Sequence, residues 1–67
     1  MKPSYELYRN YRDKMGCTDY AVSKATGVPT SCICDWHKGR ANPRTEKLFK
    51  IAKFLGCSIE DLIEEDE

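Results

Sequence analysis

The stretch Asp19–Lys38, DYAVSKATGVPTSCICDWHK, decides the fold. Two short helices joined by a tight turn at Gly27 account for its pattern. Ser23, four positions before that glycine, is a small side chain where two helices must cross closely. Gly27 supplies the freedom to take φ > 0 in the turn. Val22, Val28, Ile33 and Trp36 are apolar at spacings that turn both helices inward and lock the pair. The second helix, over residues 29–37, then keeps one free face. A DNA major groove accepts a helix of that size.

Outward from this stretch, composition sets the bounds. A chain of 67 residues is read as one domain, and it buries only about 60% of its unfolded surface. Its stability is expected to be on the order of 5 kcal/mol. No apolar run approaches the ~20 residues of a membrane span. The opening MKPSYELYRN is polar, with no apolar core of a signal peptide. A cytoplasmic location is the resulting expectation. The net charge of zero conceals a division. Residues 1–59 hold all 11 Lys and Arg against Glu6, Asp13, Asp19, Asp35 and Glu46, a net +6. Residues 60–67, EDLIEEDE, carry six acids and no bases. A basic body suits a polyanionic partner, and an ordinary solvated surface accounts for the same charges.

The cysteines Cys17, Cys32, Cys34 and Cys57 contain no C-x-x-C pair. Cys32 and Cys34 are two apart on an expected helix, about 200° from each other, and cannot share a metal. Neither a metal site nor a stable disulfide is expected. Cys17 and Cys57 are read as small buried hydrophobes.

Helix one is expected over residues 4–15, with Ser4 as N-cap, Glu6 in the first turn and Gly16 as the stop. Leu7, Tyr8, Tyr11 and Met15 form its expected inward face. Thr18 caps helix two, which runs to Ala25 or Thr26, with Ala21 and Ala25 allowing close approach. The N-terminal amides of that helix suit a phosphate, although the Asp19 carboxylate competes for the same field. Helix three begins at Pro29 or Thr30, with Thr30, Ser31, Cys34 and Asp35 outward and Cys32 at the border. The loop GRANPR follows, with Pro43 keeping it out of helix. Lys38, Arg40, Asn42 and Arg44 lie beside the end of helix three and read as a phosphate clamp or as a flexible polar loop. Thr45 is expected to cap helix four, TEKLFKIAKFLG, whose stripe is Leu48, Ile51, Ala52 and Leu55. Phe49 stands at the stripe's edge and Phe54 is offset. Ser58 caps a short helix five with Ile59, Leu62 and Ile63 apolar. The acidic end, 64–67, is expected to fray.

From Tyr8 to Ile63 the chain resembles the Cro/phage-repressor (XRE-type) helix-turn-helix family. The residues that carry the likeness are the M-G-C-T entry to helix two, V-S-K-A-T-G-V-P-T-S-C-I-C-D-W-H-K-G across the motif, and N-P-R-T-E-K-L-F-K-I-A-K-F-L-G-C-S-I-E-D-L-I after it. The D-W-H-K-G ending is similar to phage-related regulators of Gram-positive bacteria. The resemblance implies an all-α, five-helix lambda-repressor-like domain with the motif in helices two and three. It implies that Thr30, Ser31, Cys34 and Asp35 are base-edge residues. Thr18, Tyr20, Lys38, Arg40, Asn42 and Arg44 become backbone-phosphate residues. The implied partner is double-stranded DNA carrying a pseudo-palindromic operator, bound by a homodimer with half-sites about one helical turn apart. No cofactor is implied.

Three departures from the family pattern bear on this reading. Asp19 stands where the family commonly has a phosphate-reaching glutamine. His37 stands where the partner of the arginine matched by Arg12 is often a glutamate, so that ion pair is expected to be lost. The outward face of helix three lacks Arg, Gln and Asn, whose bidentate contacts discriminate bases by ~1–3 kcal/mol each. Readout is therefore expected to lean on DNA shape and phosphate contacts.

The leading expectation is a sequence-specific, repressor-like transcriptional regulator. The alternative is an antitoxin-like or anti-repressor-like protein-interaction module on the same fold, favoured by Asp19, Asp35 and the acidic end. No enzyme is expected. His37 is the only histidine, placed to meet a helix C-terminus rather than to act as a base. No phosphate-cradling glycine loop is present. For dimerisation, helix five and the loop after helix three are the candidate surfaces. The chain can also be a fragment of a longer repressor that carries a sensor domain.

Overall fold

The computed structural model describes residues 2–65. Among them are four α-helices: α1 (Tyr5–Met15), α2 (Asp19–Thr26), α3 (Thr30–His37) and α4 (Thr45–Leu55). A single 3-10 turn, Ile59–Leu62, follows. Strands β1 (Lys2–Pro3) and β2 (Ile63–Glu64) pair antiparallel, with Lys2 opposite Glu64 and Pro3 opposite Ile63. No helix of the described residues is long and apolar enough to cross a membrane.

The helix boundaries follow from local chemistry. Ser4 Oγ accepts from the Leu7 amide at 3.3 Å, and Thr18 Oγ1 accepts from the Ala21 amide at 3.1 Å. Each bond satisfies a backbone donor that the first helical turn leaves without a partner. The turn between α2 and α3 is closed at three points. Gly27 takes φ 79°, where a side chain would be strained. The Ser23 hydroxyl donates to the Val28 carbonyl. Thr26 Oγ1 donates to the Val22 carbonyl at 2.7 Å and accepts from the Val28 amide at 3.3 Å. Ser23 is therefore more than a small residue at a crossing; its hydroxyl holds the turn shut.

Val22, Val28, Ile33 and Trp36 are all buried, with Tyr8, Leu48, Ile51, Ala52, Leu55 and Leu62 completing the core. Cys17, Cys32 and Cys57 pack half-buried against it, and all the cysteines are free thiols. Burial, and then the nearby Asp61 carboxylate, pushes the Cys57 thiol pKa up.

The structure corrects five sequence-based expectations. Helix five is only one 3-10 turn, because the chain turns extended at Ile63 and enters the ribbon with Pro3. The Ser4 amide bonds the Leu62 carbonyl at 2.8 Å, ending the turn there. Glu64 lies in that ribbon, with Lys2 Nζ 3.7 Å from its carboxylate, while residues 66 and 67 lie outside the described residues. Met15 is 46% exposed and does not join the inward face. On α1 the inward arc rotates instead toward Tyr5 and Tyr8, both part of one aromatic cluster with Trp36. Ala25 is exposed, so Ala21 alone of the two alanines lies toward the helix contacts. Arg44, not Thr45, occupies the N-cap of α4, and no side chain caps that helix.

Candidate nucleic-acid interface

Helix α3 presents two faces. Ile33 and Trp36 are buried, whereas Thr30, Ser31 and Cys34 are exposed. Asp35 is half-buried, and its carboxylate sits 3.8 Å from the Arg40 guanidinium. That pair joins a base-edge candidate to a phosphate candidate. It also anchors the loop, because the Asp35 carbonyl accepts from the Arg40 amide at 2.8 Å. Lys38, Arg40, Asn42 and Arg44 are all exposed. Between them Pro43 is buried, a pin that fixes the loop against the body. Asn42 shares a shallow polar cleft with Trp36, Gly39 and the β1 residues.

At the start of α2, Thr18 and Tyr20 are exposed. Thr18 Oγ1 accepts from the Ala21 amide, which leaves its hydroxyl proton free to donate to a phosphate. Tyr20 is 63% exposed, with the Lys24 ammonium 5.7 Å from its ring centre. A cation and an aromatic face so placed suit a sugar-phosphate backbone.

Asp19 does not stand free at this surface. Its Oδ1 accepts from Tyr8 OH at 2.7 Å and from Arg12 Nη1 at 2.7 Å, and its Oδ2 accepts from Tyr5 OH at 2.8 Å. Arg12 Nη1 also donates to Tyr5 OH at 3.1 Å, and its other nitrogens reach Asp13. Burial by itself raises the Asp19 pKa, but the hydrogen bonds from Tyr8, Arg12 and Tyr5 outweigh it and hold the carboxyl below its usual range. Burial, and then the bond to Asp19, raises the pKa of both tyrosines. Bonds to Asp13 and Asp19 raise that of Arg12. The expected competition between Asp19 and phosphate is thereby blunted, since the carboxylate is turned toward α1 and its charge is matched by Arg12. Arg12 has an acidic partner after all, on α2 rather than on α3. The ring of His37 instead stacks on Tyr5, at 4.3 Å between ring centres and 8° between planes.

Sequence reasoning missed Tyr5 and Arg12 as members of this surface's support. Tyr5, Tyr8 and Arg12 recur at three and four residues, one face of α1. That face lies against Asp19, and the spacing is the signal that could have found it. Among the described residues, no group of His, Cys, Asp or Glu is placed to hold a metal ion.

Residues 9–62 match the family model described as helix-turn-helix. The chain belongs to the XRE-type helix-turn-helix family. Two relatives of this family are archaeal. One is described as an uncharacterized HTH-type transcriptional regulator of Methanocaldococcus jannaschii, 39% identical over 59 residues, covering 85% of this chain and 89% of the relative. A second, with the same description, is from Archaeoglobus fulgidus, 37% identical over 54 residues and covering 81% and 77%. The solution structure of the DNA-binding domain of the P22 C2 repressor superposes with a TM-score of 0.75 at 28% identity, over 92% of this chain and 88% of that one. A transcriptional regulator from Listeria innocua, at 20% identity and a TM-score of 0.72, covers all of this chain and 66% of its own and shares the fold. The helix-turn-helix assignment therefore agrees in family, in fold and in the α2–turn–α3 geometry.

Proposed function

We propose that this helix-turn-helix protein binds double-stranded DNA through the outward face of α3 and acts as a sequence-specific, repressor-like transcriptional regulator. The single observation that carries the reading is the exposed row Thr30, Ser31 and Cys34 on a helix whose other face is locked in the core, with Lys38, Arg40 and Arg44 exposed beside it. Thr30, Ser31, Cys34 and Asp35 meet base edges. Thr18, Tyr20, Lys38, Arg40, Asn42 and Arg44 meet phosphates. The short polar side chains of α3 give modest direct readout, so shape and backbone contacts carry much of the selectivity.

The protein binds as a homodimer on a pseudo-palindromic operator, because one short helix contacts too few base pairs for useful discrimination. An open groove lined by Arg44, Thr45, Glu46, Phe49 and Ile59 supports a self-contact. Phe49, one of its lining residues, is 55% exposed, and the groove carries one cation and one anion that a two-fold axis pairs twice. The groove runs from Arg44 in the loop after α3 to Ile59 in the 3-10 turn. Of the acids that favoured a protein-interaction module, Asp19 is turned inward to Arg12, whereas Asp35 pairs with Arg40 at the surface.

The test is selection of bound duplexes from a random pool, followed by affinity for the selected and a scrambled duplex in rising salt. A palindromic consensus bound more tightly than the scrambled duplex, with affinity falling as salt rises, is expected. Equal affinity for both duplexes at every salt concentration, or no binding at low salt, contradicts the reading.

A further inference from the structure

We propose that Tyr5, which lies outside the helix-turn-helix, is a positioning residue that ties the two outer ends of the motif together and so sets the attitude of the reading helix. The motif is a V whose apex is the turn at Gly27. Ser23, Thr26 and Val28 hold the apex. The outer ends are the start of α2 and the end of α3; Trp36 holds the latter to the body through the Tyr8 ring and a 3.4 Å bond to the Pro3 carbonyl, but it makes no link to the start of α2. Tyr5 reaches both. Its hydroxyl donates to Asp19 Oδ2 at 2.8 Å, at the first residue of α2. Its ring stacks on His37, the last residue of α3, and meets Trp36 edge-on at 5.7 Å. Arg12 and Tyr8 fix the same carboxylate from α1, so the tie ends on a rigid helix rather than on a loop.

The consequence is geometric. A helix of eight residues is about 12 Å long, so a 10° swing about the apex moves its far end by roughly 2 Å. That displacement takes a hydrogen bond at ~2.9 Å beyond useful range. Thr30 and Ser31 are close to the apex and move little. Cys34, Asp35 and Lys38 are farther out and move most. Losing the tie therefore weakens contacts in a gradient along α3. This inference rests on the DNA-binding reading above and goes beyond it, because it assigns selectivity to a residue that touches no DNA.

The test compares wild-type protein with Tyr5→Phe, which keeps the ring stack and removes the hydroxyl, with His37→Ala, which removes the stack and keeps the hydroxyl, and with the double variant. Three quantities are read: thermal stability, the ratio of affinities for the selected and scrambled duplexes, and the orientation of α3 relative to α4 from residual dipolar couplings of the free protein. At a temperature where all variants stay folded, each single variant is expected to lower the affinity ratio about threefold to tenfold, the scale of one weakened hydrogen bond. The double variant falls furthest, since in Tyr5→Phe the ring still stacks on His37 and in His37→Ala the hydroxyl still holds Asp19. The couplings of α3 change relative to α4 while helix content does not. Unchanged α3 couplings, or an unchanged affinity ratio in folded Tyr5→Phe, overturns the role of Tyr5. A wild-type protein with no duplex preference overturns the DNA reading itself and the role of Tyr5 with it, and the coupling data then report only whether the tie orients α3.

Discussion

Replacing Asp19 with Asn tests the arrangement on which the interface rests. The carboxylate accepts three hydrogen bonds, from Tyr5, Tyr8 and Arg12. An amide of the same shape keeps one acceptor oxygen and turns an N–H₂ group toward donors. At least one bond is lost, and Arg12 loses its charge partner on α2. Removing a hydrogen bond to a charged group costs about 1.5–3 kcal/mol when the site is buried. Here the Arg12 and Asp19 side chains are 16% and 33% exposed, so solvent screens part of the interaction. The expected loss is about 1–2 kcal/mol. For a domain of this size each kcal/mol moves the midpoint by about 4–8 °C, so Tm falls by roughly 5–15 °C. The sign with pH follows from the depressed Asp19 pKa. Its contribution is complete above the unfolded carboxyl value of about 3.9 and is lost as pH falls through the folded value. Thermal melts followed by circular dichroism should therefore show the full gap between wild type and Asp19→Asn at pH 7, closing below about pH 4. Equal Tm values at pH 7, or a gap that widens on acidification, refute the inward pairing. A carboxylate facing phosphate makes the opposite prediction for binding: Asp19→Asn would then raise affinity for every duplex.

Gly27→Ala should cost about 1–2 kcal/mol from the positive φ alone, because an added Cβ meets nothing within 4 Å; Gly27→Asn should cost less in the same denaturant titration. Lys38→Ala should weaken binding to selected and scrambled duplexes alike and reduce the slope of log affinity against log salt by about 1. Phe49→Glu, at an exposed position, should leave folding stability within about 0.5 kcal/mol of wild type while abolishing dimers in sedimentation on DNA and lowering operator affinity. Retention of the dimer by this variant removes the groove as its interface.

The motif was legible in the sequence for a physical reason. Gly27, Ser23, Thr18 and the apolar set Val22, Val28, Ile33 and Trp36 act within one segment, where spacing alone fixes which side chains meet. The α4 stripe was legible on the same ground. What sequence reasoning missed lies between segments. The ribbon joins Pro3 to Ile63 across nearly the whole chain, and neither strand of two residues has a periodicity to read. A tract as short as Ile59–Ile63 does not distinguish an α-helix from a 3-10 turn that runs into a strand. Thr45 has the chemistry of a cap, but the helix begins at Thr45 itself and Arg44 takes that place, after the buried Pro43. Asp19 was read against its own helix, as a charge beside a helix N-terminus. Its meaning came from α1, where Tyr5, Tyr8 and Arg12 converge on it. Two departures from the family pattern, the acid at 19 and the absence of one at 37, thus compensate each other around a single arginine. Thr30, Ser31 and Cys34 face outward as expected, and Asp35 only in part, because a helix with two buried residues at a spacing of three leaves little freedom for the rest. What those side chains touch is a property of the complex.

Cys34 permits the most direct test, because its thiol is exposed at the middle of the proposed reading face. The rate at which iodoacetamide alkylates Cys34, read residue by residue by mass spectrometry, should fall sharply when the protein is saturated with its selected duplex. The rates at Cys17 and Cys57 should stay unchanged, and protein alkylated at Cys34 beforehand should fail to bind. If Cys34 in the saturated complex reacts as fast as in the free protein, the outward face of α3 is not where DNA is held.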